Sequence, residues 1–193
     1  MDAWNTQLFL WLAGGWQPTP WVLALARWWA LYGALISAIL LAWLVWRRPQ
    51  ARMYVLGSLL ACMVSILLAH RIGVWLGHPR PFVLGISPAY IPHAARGSLP
   101  SVHASALFTI AFCGLLWPSA RSAGVLALFV ALLVSWARVY CGVHFPFDIA
   151  AGALLGGAIA ILYRSLWRGI RRYRQVLSRS VLPGADLSVQ SRV

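Results

Sequence analysis

Residues 124–167 read GVLALFVALLVSWARVY, then CGVHFPFD, then IAAGALLGGAIAILYRSLW. Two apolar runs flank a short break that holds His144, Pro146 and Asp148. A bilayer core of about 30 Å is crossed by about 20 apolar residues in helical form, so each run reads as one membrane span. The break reads as a tight turn between them. Outward from this hairpin, three more runs have the same character: about Trp21–Trp46, Met53–Leu76 and the shorter His103–Trp117. The hairpin supplies Gly124–Tyr140 and Ile149–Trp167.

Composition agrees. Hydrophobic residues make up 61% of the 193-residue chain and charged residues only 10%, against about 25% charged in a soluble domain. The 12 tryptophans suit two membrane–water interfaces that need amphipathic anchors. The expected fold is an all-α integral membrane protein, a bundle of five to six transmembrane helices. The sixth would be Trp4–Trp16, which is too short to span and reads as an interfacial or re-entrant helix closed by Gly14, Gly15, Pro18 and Pro20. No basic stretch precedes that run, so a cleaved signal peptide is not expected. Residues 1–182 read as one transmembrane domain and 183–193 as a disordered tail.

All 16 basic residues are arginine, and the net charge is +13. A nucleic-acid partner is not expected, because six arginines lie between Arg164 and Arg179, directly after the last apolar run. That pattern suits a juxtamembrane segment meeting anionic headgroups. Arg47, Arg48 and Arg52 follow the first span and Arg121 follows the third. With alternating spans, all these arginines fall on one side, which the positive-inside rule makes cytoplasmic. Gly77–Ser101 and Cys141–Phe147 then lie outside, in the inner (cytoplasmic) membrane facing the periplasm.

The acids are Asp2, Asp148 and Asp186 alone. Chemistry that needs paired carboxylates, such as glycoside hydrolysis or a carboxylate metal cage, is excluded from the body of the chain. Cys62, Cys113 and Cys141 form neither a disulfide framework nor a metal motif. No metal and no cofactor is expected.

Polar residues beside membrane spans are costly and mark sites by default. Here they form three groups: His78-Pro79-Arg80-Pro81, Pro100-Ser101-Val102-His103, and Arg138 with His144 and Asp148. The expected topology puts all three on the outer face. Arginine forks match phosphate oxygens. Ser101, with the N–H groups of Val102 and His103, opens a span where free helix-terminal donors point at an anion. Asp148, four residues after His144, is placed to orient its imidazole and leave the other ring nitrogen as a nucleophile. His103 is the candidate acid and base. His78 and His93 read as loop histidines, His70 and Arg71 as structural or interfacial.

These groups resemble the three motifs of the type-2 phosphatidic acid phosphatase superfamily, over about residues 53 to 165. K-x6-R-P appears as Gly73-x6-Arg80-Pro81, P-S-G-H as Pro100-Ser101-Val102-His103, and S-R-x5-H-x3-D as Ala137-Arg138-x5-His144-x3-Asp148. Gly73, Val102 and Ala137 depart from the motif lysine, glycine and serine. Arg71 and His78 are the expected candidates to replace the lysine. The stretch around His78–Phe82 and His93–Ala95 looks most like the bacitracin-resistance-type undecaprenyl diphosphatases. The resemblance implies a haloperoxidase-like helical core and a membrane lipid phosphate or diphosphate as substrate. In it His144, His103 and Asp148 are catalytic, and Arg80, Ser101, Val102 and Arg138 hold phosphate. Phosphatidylglycerophosphate, phosphatidate and lipid A phosphate are alternative substrates, and a weakened binding or transport relative is the alternative role.

Overall fold

The computed structural model describes residues 3–181, so the expected tail lies outside the described residues. Six α-helices follow in chain order: α1 Ala3–Leu12, α2 Pro20–Arg47, α3 Arg52–Leu76, α4 Val102–Leu116, α5 Arg121–Tyr140 and α6 Pro146–Val181. Four segments are long and apolar enough to cross a membrane: Pro20–Arg47, Pro49–Leu76, Pro118–Tyr140 and Pro146–Ser178. The protein is therefore a multi-pass membrane protein. Its large apolar side chains face outward, as those of Leu35, Ile39, Leu60 and Leu154 do. Small residues face inward. On α2 the buried positions Ala26, Ala30, Gly33 and Ser37 recur every three or four residues and pack on α5, one stripe of a 3.6-residue period.

The central element is α4, packed against α6, α5 and α3. Its 15 residues reach only about 22 Å at 1.5 Å per residue. It ends because Trp117 precedes Pro118 and takes an extended conformation (φ −105°, ψ 112°), as residues before proline do. By contrast α6 runs well past the expected Trp167, and the arginines from Arg164 to Arg174 lie along its last turns. Near that end an aromatic cluster ties three helices together. Tyr54 Oη donates to the Cys113 carbonyl at 3.0 Å, and Tyr163 Oη donates to the Tyr54 carbonyl at 2.7 Å. The Trp117 ring lies 4.0 Å from that of Tyr54.

The other end carries the polar groups, and the α4–α6 crossing places them. A Cβ at Gly152 would stand 2.8 Å from Ala104 Cβ and 2.9 Å from the Ser101 carbonyl oxygen. At Gly156 it would stand 2.8 Å from the Ser105 carbonyl oxygen. Hydrogen bonds within α4 occupy its polar side chains: Ser105 Oγ donates to the Ser101 carbonyl and Thr109 Oγ1 to that of Ser105. Backbones can then meet closely through small residues. One turn above Gly152, the Ser101 N–H donates to the Asp148 carbonyl at 3.0 Å. Gly152→Val is expected to lower stability by about 1–3 kcal/mol through overpacking. Gly157→Val, where a Cβ meets only the Phe112 ring at 3.5 Å, is expected to be tolerated. Thermal unfolding in detergent compares the two.

The short α1 does not span. It packs against α5 and α6 at the polar end, with Phe9 fully buried 5.2 Å from the Phe145 ring. Asn5 Oδ1 accepts the Phe147 N–H at 3.1 Å, which satisfies one of the free donors at the start of α6.

Candidate active site

The α5–α6 turn is tightly specified. Gly142 adopts φ +77°, a region where glycine alone is at ease, and a Cβ there would strike the Pro88 carbonyl. The turn delivers His144 just before Pro146 opens α6. Pro146 suits a first helical position because its missing N–H needs no partner there. Asp148 then sits in the first turn of α6, and its Oδ2 accepts the Phe145 N–H at 2.8 Å. This is the carboxylate half of a capping box.

The same Oδ2 faces His144 Nδ1 at 3.2 Å. A carboxylate can only accept, so the network assigns the ring proton to Nδ1. Arg80 Nη1 lies 3.0 Å from His144 Nε2 and 3.4 Å from Nδ1. Arginine can only donate, which makes Nε2 the unprotonated ring nitrogen, its lone pair accepting from Arg80. Arg80 is otherwise held by three carbonyls: Val143 (2.8 Å), Arg96 (3.0 Å) and Gly97 (3.2 Å). His144 is 1% exposed. Burial first, and then Arg138 and Arg80, push its pKa well below the usual histidine range, so the imidazole is neutral at pH 7.

Asp148 has a further partner that the sequence reading missed. Ser98 Oγ lies 3.3 Å from Asp148 Oδ1 and accepts from His78 Nδ1 at 2.9 Å. A chain His78–Ser98–Asp148–His144 results. Ser98 is fully buried, in a loop without periodicity, so its spacing to Ser101 carried no signal.

Arg80, His103, Val102 and His144 line one cavity of about 150 Å³. Arg138 and His103 line an adjoining space of about 300 Å³ that reaches Ala30 and Leu31 of α2. His93 borders both, and its ring meets that of His144 edge-on at 5.7 Å. Burial and then Arg80 and Arg138 lower the His93 pKa to about 4. His93 is therefore a wall of the site rather than a plain loop histidine. Arg138 is 3% exposed and its buried Nε has no partner. An unpaired buried donor costs about 1–3 kcal/mol, which a bound anion would offset.

Ser101 differs from its neighbours. It is fully buried, its Oγ accepts the Ala104 N–H at 3.4 Å as an N-cap, and it does not line either cavity. Neither candidate to replace the motif lysine borders the 150 Å³ cavity: His78 is turned to Ser98, and Arg71 is absent from the wall. His70 and Arg96 stand there instead. Ala137 is buried among Ala26, Ala30, Ile91, Cys141 and Val143, so the missing serine is part of a dry core here. Among the described residues no three His, Cys, Asp or Glu side chains are grouped to hold a metal ion.

Known proteins resemble this chain. Residues 53–172 match the PAP2 superfamily. The "Putative undecaprenyl-diphosphatase YbjG" of Escherichia coli (strain K12) is 32% identical over 178 residues, 90% of this chain and 89% of that protein. The undecaprenyl-diphosphatase BcrC of Bacillus subtilis (strain 168) is 29% identical over 66% of this chain and 65% of its own. The crystal structure of Aquifex aeolicus LpxE superposes with a TM-score of 0.70 at 27% identity, covering 84% of this chain and 95% of that one. The superfamily match contains Arg80, His103, Arg138, His144 and Asp148, which the bundle gathers at one end. The chain belongs to the PAP2 superfamily, as a membrane-embedded lipid phosphatase.

Proposed function

We propose that this phosphatase hydrolyses undecaprenyl diphosphate to the monophosphate through a phosphohistidine, on the outer side of the cytoplasmic membrane. The observation that carries the mechanism is the His144 ring, with Nδ1–H on Asp148 and Nε2 open to Arg80. A terminal phosphoryl group entering the cavity takes over the Arg80 donor and presents phosphorus to Nε2. The N–P bond forms as the bond to the bridging oxygen breaks, and His103 gives that oxygen its proton. Asp148 balances the charge that grows on the imidazole. His103 then takes a proton from water, which attacks phosphorus, and orthophosphate leaves as Nε2 recovers its lone pair. Arg80 and Arg138 neutralise the equatorial oxygens through both steps. The first-turn N–H groups of Val102 and His103 add the helix-terminus donors. Ser101 contributes by capping that helix.

The substrate follows from the likeness to YbjG and BcrC. The arginines support the orientation. Arg52 and Arg121 begin α3 and α5, and Arg164–Arg174 lie toward the far end of α6. All these stand at the end opposite His144, and positive residues favour the cytoplasm. The test is turnover of undecaprenyl diphosphate, phosphatidylglycerophosphate, phosphatidate and lipid A phosphate by purified protein, with a chelator present. The expected result is the highest kcat/KM on the diphosphate, unchanged by chelation. A higher value on any of the other lipids contradicts the substrate reading.

A further inference from the structure

The cavity has a second polar end. Beyond His144 and Arg80 its wall is formed by His70, Gly73 and Val74 of α3 and by Arg96. Arg96 is bound to the site through its backbone, since its carbonyl accepts Arg80 Nε at 3.0 Å. Its guanidinium is exposed and pairs with no other described residue. A Cβ on Gly73 would be in ordinary contact with the Gly97 and Leu99 carbonyl oxygens, at 3.5 and 3.7 Å. Gly97 itself crosses so close to α3 that a Cβ on it would strike the Gly73 carbonyl. That contact fixes residue 96 at the rim. Asp148 is the one acid among the described residues and is fully buried beneath His144. The rim therefore carries uncompensated positive charge.

A transferred phosphoryl group needs Nε2 of His144, Arg80 and Arg138. Nothing in that step uses Arg96 or His70. A diphosphate ester brings a second phosphate, which departs as part of the leaving group and carries negative charge on its non-bridging oxygens. A monophosphate ester has an uncharged alcohol at that position.

We propose that Arg96, with His70 beside it, binds the non-transferred phosphate of a diphosphate ester and so selects diphosphates over monophosphates. The inference rests on the phosphohistidine reading above and adds a residue that sets specificity. A charge-assisted hydrogen bond to the non-bridging oxygens of that phosphate is available to a diphosphate ester and has no counterpart in a monophosphate ester.

The test uses two inhibitors of the purified full chain, acting on whichever lipid phosphate it hydrolyses fastest, with loss of that lipid as readout. Methylenediphosphonate presents two phosphorus groups, and inorganic phosphate presents one. Arg96→Gln keeps the backbone carbonyl that anchors Arg80. It is expected to weaken inhibition by methylenediphosphonate about tenfold or more, the scale of one charge-assisted bond. Inhibition by inorganic phosphate should change less than about twofold, since its contacts with Arg80 and Arg138 survive. Arg96→Lys should restore most of the difference, and His70→Gln should shift it the same way by a smaller factor. Equal weakening of both inhibitors, or of neither, would overturn the proposal. Faster turnover of phosphatidate than of polyprenyl diphosphate by the unaltered protein contradicts the substrate reading instead, and the inhibitor comparison still decides the role of Arg96.

Discussion

Alanine at position 144 is expected to lower phosphate release by about four orders of magnitude or more, as loss of a nucleophile does elsewhere. The bundle should survive the change. Arg80 keeps its three carbonyl acceptors, and Asp148 keeps the Phe145 N–H and Ser98. His144→Gln fills more of the same space and guards against a collapse of the turn. Comparable losses for both variants, with unchanged thermal unfolding, mark a chemical defect rather than a folding one. Phosphate release within tenfold of the unaltered protein would remove His144 from the reaction.

Asp148→Asn is expected to cost about 10³- to 10⁴-fold in kcat, with little change in KM, by loss of the counter-charge to the imidazolium. The amide must offer its oxygen to the Phe145 N–H, which lies 2.8 Å from Oδ2 in the present arrangement. That oxygen also faces His144 Nδ1, so the NH₂ group takes the Oδ1 place against Ser98. The tautomer is kept, but the imidazolium that forms during attack is left without a counter-charge. The chemistry slows without any change at the phosphate-binding arginines. The check is kcat and KM for Asp148→Asn beside Arg138→Gln. The latter should raise KM as well, because Arg138 meets the phosphate in every bound state. A normal kcat for Asp148→Asn would show that the carboxylate serves only as a helix cap.

The spans and the site were legible for different physical reasons. Long apolar runs need no partner to declare themselves, so α2, α3, α5 and α6 follow from hydropathy alone, and Arg80, His103, Arg138, His144 and Asp148 follow from being polar beside such runs. Positions set by packing were not legible. The C-terminal stop of α4 depends on a local proline rule, and the length of α6 on arginines that propagate a helix as readily as they solvate a tail. From the sequence Ser101 reads as both N-cap and phosphate ligand, because capping and anion binding use the same local geometry. Only the burial of its hydroxyl away from the cavity separates the two. Ser98, His93 and Arg96 lie in the long segment between α3 and α4. Its path is fixed by contacts such as the Ser98 N–H on the His78 carbonyl and the Tyr90 N–H on the Cys141 carbonyl, and no periodicity foretells those. Asn5 escaped notice because its partner, the Phe147 N–H, is 142 residues away.

The proposed reaction passes through a covalent bond between phosphorus and Nε2 of His144. Rapid quenching after mixing the protein with polyprenyl diphosphate labelled in its terminal phosphate tests it directly. The account predicts protein-bound label that is stable to alkali, labile to acid, located on His144, and absent from the His144→Ala protein. Label on Ser101, or full turnover with no label on any residue, would contradict it.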